Sequence, residues 1–88
     1  MTFEGAVVRE QGATFAIVVV KSHVMNTASS KREAIMAFSP HFPGMPVVLM
    51  AQDSRGTPEY YGRRDIVSFL CSISISRIPW RKYTLAAA

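Results

Sequence analysis

Cysteine is almost missing from this chain, with Cys71 its one representative. A single thiol cannot close an internal disulfide, so an apolar core has to supply the stability, and the pattern suits a reducing compartment. Histidine is nearly as scarce. His23 and His41 lack any Cys-x-x-Cys or His-x-x-x-His spacing, so no metal-ligating set and no cofactor site emerge from the residues. Long hydrophobic runs are absent too. The longest extends from Phe15 to Val20, whereas a membrane-spanning helix needs about 20 apolar residues. Glu4 precedes every basic residue and no apolar leader with a small-residue cleavage site follows it, so a cytoplasmic protein without a membrane segment is expected.

Core material, by contrast, is plentiful. Hydrophobic residues make up 49% of the 88 positions and charged residues 18%, a balance that favours folding over disorder but is too short for two cores. One domain is expected over residues 1–85, with Ala86, Ala87 and Ala88 reading as a tag linker. A core this small leaves only a few kcal/mol of net stability, so a homo-oligomer is a natural expectation.

Acidic residues are few, and their distribution matters. Residues 1–53 hold Arg9, Lys21, Lys31 and Arg32 against Glu4, Glu10, Glu33 and Asp53, and therefore balance. Residues 54–83 hold Arg55, Arg63, Arg64, Arg77, Arg81 and Lys82 against Glu59 and Asp65, so the whole net charge of +4 lies there. An anionic partner is expected to meet that region, whether an acidic protein or a nucleic acid.

Local patterns suggest six elements. Phe3 to Glu10 reads as a short strand suited to a sheet edge, and the turn pair Gln11-Gly12 joins it to Thr14–Lys21. That second run is apolar and β-branched at successive positions, as a strand covered on both faces requires. Ser30-Lys31-Arg32-Glu33 has capping-box spacing and opens a helix that Pro40 ends. Pro46–Ala51 is a second central strand, Asp53-Ser54-Arg55-Gly56 a tight turn, and Thr57–Tyr61 a return strand. After Gly62, a helical period places Ile66, Val67, Leu70 and Ile73 on one side. The predicted fold is α/β, a mixed four-stranded sheet with two helices in the order ββαββα.

From Thr14 to Ile73 this order, with Gly44-Met45-Pro46-Val47-Val48-Leu49-Met50 followed by Asp53, Gly56, Tyr61-Gly62 and Phe69-Leu70, partially resembles the C-terminal half of the thioredoxin fold. The resemblance implies a cis proline at Pro46 beside a redox site. The Cys-x-x-Cys pair is missing and Cys71 falls in the last helix, so the implied module is redox-inactive.

No catalytic residue stands out. Cys71 reads as a partly buried structural thiol, and the carboxylates are scattered among a turn, a cap and a helix first turn. Two binding features remain. Gly62-Arg63-Arg64 opens a helix, where free amides and the dipole favour an anion. Arg77-Ile78-Pro79-Trp80-Arg81-Lys82-Tyr83 interleaves bases with aromatics, as single-strand nucleic-acid binders do, although Trp80 and Tyr83 also suit core packing. The sequence therefore points to a non-enzymatic binding module with a basic C-terminal region. A nucleic-acid-binding protein and a redox-inactive thioredoxin-like domain are the alternatives.

Overall fold

The computed structural model describes residues 2–10 and 12–84. Strand β1 (Thr2–Glu10) returns as β2 (Ala13–Val19) through a turn in which Gly12 takes φ +77°, a conformation that L side chains rarely adopt. In β2, Phe15 and Ile17 point to one face while Ala16 and Val18 point to the other, and all four are buried. The strand accordingly lies in the middle of the sheet. Strand β3 (Val47–Gln52) runs parallel to it and β4 (Pro58–Tyr61) pairs antiparallel with β3. The tight turn between them forms as its composition demands, the Asp53 carboxylate accepting the amides of Arg55 and Thr57 at 2.8 and 2.9 Å.

Two helices cover opposite faces. Helix α1 (Ala28–Phe38) lays Ala34, Ile35 and Phe38 over the cluster of Phe3, Ala16, Val18, Phe42, Val47 and Leu49. Helix α2 (Arg64–Cys71) drives Ile66 and Leu70 into Phe15, Ile17, Val48 and Met50 on the other side. Removing such large side chains from water on both faces is the main stabilising contribution in a sheet of this kind. No helix among the described residues is long and apolar enough to cross a membrane.

Among the described residues the sheet has five strands, not the four expected. Residues Arg81–Thr84 form β5, antiparallel to Thr2–Gly5, and the strand order is β4-β3-β2-β1-β5. Strand β1 therefore lies inside the sheet for half its length, where an edge position was expected. The element order becomes ββαββαβ. Helix α1 also begins earlier than its sequence suggests. Thr27 is the cap, accepting the Ser30 amide at 3.0 Å, while the Ser30 hydroxyl turns back to the Val24 carbonyl at 2.6 Å. Bound in this way, Ser30 sits inside the first turn instead of starting it. Pro40 acts as expected, and the chain leaves α1 through a short 3-10 turn, Ser39–His41. Ala86, Ala87 and Ala88 lie outside the described residues.

Candidate functional site

Helix α2 is amphipathic, and burying Ile66 and Leu70 leaves Phe69 on its flank, and Ile73 just past its end, only partly covered. Beyond the helix the chain makes a 3-10 turn, Ile75–Arg77, then anchors Ile78, which is 4% exposed, before Pro79 and β5. The helix flank, this crossing segment and β1 enclose a groove of about 370 Å³. Val8, Phe69, Ile73, Ile78 and Pro79 make its apolar lining, Glu10 and Arg77 stand at the rim, and Val7 and Arg9, whose side chains alternate to the α1 face, border it along the edge of β1. A smaller hollow of about 160 Å³ adjoins it toward the start of α2, sharing Glu10 and Phe69.

Of the predicted residues, Arg77 borders the groove and Arg63 borders the smaller hollow, whereas the others do not converge there. Arg63 is already engaged. Its guanidinium donates to both oxygens of the Asp65 carboxylate at 2.7 and 2.8 Å. That guanidinium holds the Asp65 carboxyl at about 2, below its ordinary 3.8, and is itself raised by the same bond. Asp65 lies in the first turn of α2, so the helix start is supplied with an anion of its own. Arg64 is exposed beside it.

The aromatic tail is divided between the two faces. Trp80 packs on the α2 side, where its indole Nε1–H donates to the Ile75 carbonyl at 3.0 Å. Tyr83 packs on the α1 side against Phe3 and Phe42. The two rings thus belong to different cores and form no shared stacking platform, while Arg81 and Lys82 between them are exposed.

Cys71 borders neither the groove nor the smaller hollow. Cys71 is exposed, not partly buried as its helical position suggested, because α2 rests on the sheet through Ile66 and Leu70 and turns Cys71 away. The nearby Tyr60 hydroxyl is buried without a hydrogen-bond partner, and burial first, then Cys71, pushes its phenol above the usual value. Among the described residues no three His, Cys, Asp or Glu side chains gather as a metal site. The Met45–Pro46 bond is trans, where the thioredoxin resemblance implied cis. The Pro46 carbonyl instead accepts the Ala16 amide at 2.9 Å, opening the β2–β3 ladder.

Sequence reasoning missed Val7, Val8, Arg9 and Glu10. The available signal was a valine pair followed by charges on a strand already suspected of lying at an edge. Comparison with protein families, curated proteins and solved structures gave no match.

Proposed function

We propose that this protein is a non-enzymatic binding module that receives an acidic segment of a partner protein in the groove beside α2. The contrast among its arginines carries this reading. Arg63 is neutralised by Asp65, whereas Arg77 at the groove rim and Arg9 on the adjoining edge of β1 are exposed and have no ion pair among the described residues. Two open cations beside an apolar floor outnumber Glu10, the one acid at the rim, and suit a ligand that carries both carboxylates and hydrophobic side chains. Charges of this kind steer association and select the partner more than they add to affinity.

Titration calorimetry with two short capped peptides tests the proposal. One alternates glutamate with valine, and its control carries lysine in place of glutamate. The acidic peptide is expected to bind and the basic one not to, with R9E weakening the acidic peptide about tenfold and added salt weakening it further. Equal binding of the two peptides would remove the acidic-segment reading. Single-stranded nucleic acid has less support, because the separation of Trp80 from Tyr83 removes the stacking surface that such ligands use.

A further inference from the structure

Backbone direction along β1 adds a second property to the groove. The amides of Ala16 in β2 and of Val20 just past its end donate to the carbonyls of Pro46 and Met50, so the even-numbered members of that strand face β3. Its odd members, Phe15 and Ile17, then face β1, where their partners are Val8 and Ala6. Because hydrogen-bonding direction alternates along an antiparallel strand, the amides and carbonyls of Val7 and Arg9 point away from β2. Strand β5 would meet them on that side, but its pairing with β1 stops at Gly5 opposite Arg81. Pro79 lacks an amide and the Trp80 amide is turned to the Ile78 carbonyl at 2.8 Å, so β5 cannot extend to cover the gap. Among the described residues, no hydrogen bond reaches Val7 or Arg9 from the open side.

We infer that the acidic segment binds as an added β-strand on the open edge of β1 at Val7–Arg9, with carboxylate side chains alternating with apolar ones. The inference rests on the groove reading above and specifies the ligand's conformation and pattern. An unpaired strand edge is a template for a further strand, whose main chain supplies affinity while alternate side chains supply specificity. Side chains on the α1 face of the added strand would lie beside Val7, which is 37% exposed, with Arg9 and Arg81 on either side of it on the same face. Carboxylates suit those positions. Side chains on the α2 face would enter the groove over Val8, Ile73 and Ile78, where apolar groups suit. A second copy of the chain is the poorer occupant, since its charge of +4 would bring arginines to an edge already bearing Arg9 and Arg81.

Amide hydrogen exchange followed by NMR reads the strand directly. With the glutamate–valine peptide bound, the amides of Val7 and Arg9 are expected to gain protection, and the lysine–valine peptide is expected to leave them unchanged. Two N-methylated forms of the acidic peptide, one methylated on the residues that bond to β1 and the other on the alternate residues, complete the test. One pattern should lose at least about tenfold in affinity and the other should bind normally, as expected for removing two or so backbone bonds from one side only. Normal binding of both patterns would overturn strand addition yet leave the groove reading standing. Failure of the unmodified acidic peptide to bind would remove both. Concentration-dependent protection of Val7 and Arg9 in the protein alone would assign the edge to a second copy and overturn the acidic-segment proposal.

Discussion

The Tyr83 ring lies 5.2 Å from the Phe3 ring and within 14° of parallel, while Phe42 meets Tyr83 edge-on at 5.4 Å. Phe3 and Tyr83 come from opposite ends of the described chain, and their stacking holds the short strand β5 against β1 where only four residue pairs form the ladder. Phe38 adds a further ring 4.9 Å from Phe3. The α1 face is thus closed at this edge by aromatic contacts, which add to simple area burial.

Replacing Tyr83 by alanine should destabilise the fold by about 2 kcal/mol, a large-to-small loss moderated by the half-buried position. Denaturant unfolding would measure it. A double-mutant cycle of F3L with Y83L should give a coupling of about 1 kcal/mol. Additive single effects would mean that the stacked pair contributes area alone.

Gly62 is held by the sheet beneath it. A Cβ at this position would come within 2.9 Å of Val48 Cγ2 and 3.2 Å of Val48 Cα, where backbone cannot easily yield. G62A should therefore cost about 1–3 kcal/mol through overpacking at the start of α2. The companion variant G62A/V48A should recover part of that loss relative to V48A alone, because the closest atom, Cγ2, has gone. No recovery would locate the strain in the backbone.

The Asp65 carboxyl should titrate at about 2 when its carbon resonance is followed by NMR. Its folded value lies below its ordinary 3.8, so the stabilisation is present above that value and is lost as pH falls through about 2. The difference in unfolding midpoint between the parent protein and D65N should accordingly be complete above pH 3.8 and fade toward pH 2. Both side chains are exposed, so the effect should be small and should shrink with salt. Titration at the ordinary value would show that Arg63 does not hold Asp65 in solution.

Several of these features were legible in the residues and others were not. The unbroken apolar runs at Phe15–Val20 and Val47–Ala51 announced strands covered on two faces, and the helical period after Gly62 announced α2. Asp53 and Gly56 announced their turn. Gly62-Arg63-Arg64 was legible as a helix start, but the tertiary roles of its residues were not. Its glycine is needed for clearance over Val48, and its first arginine is taken up by Asp65.

By itself, then, the sequence determined the two central strands, the two helices, the turn chemistry and the basic bias of residues 54–83, because each is written in the period or composition of a few adjacent residues. Only the tertiary structure decided that the tail pairs with β1, that Trp80 and Tyr83 part to opposite faces, and that β1 is covered at Gly5 but open at Val7 and Arg9. Those outcomes depend on long-range strand pairing and on where Pro79 interrupts it. Such pairing is favoured by surfaces that meet only after the chain has folded, so no local pattern records it.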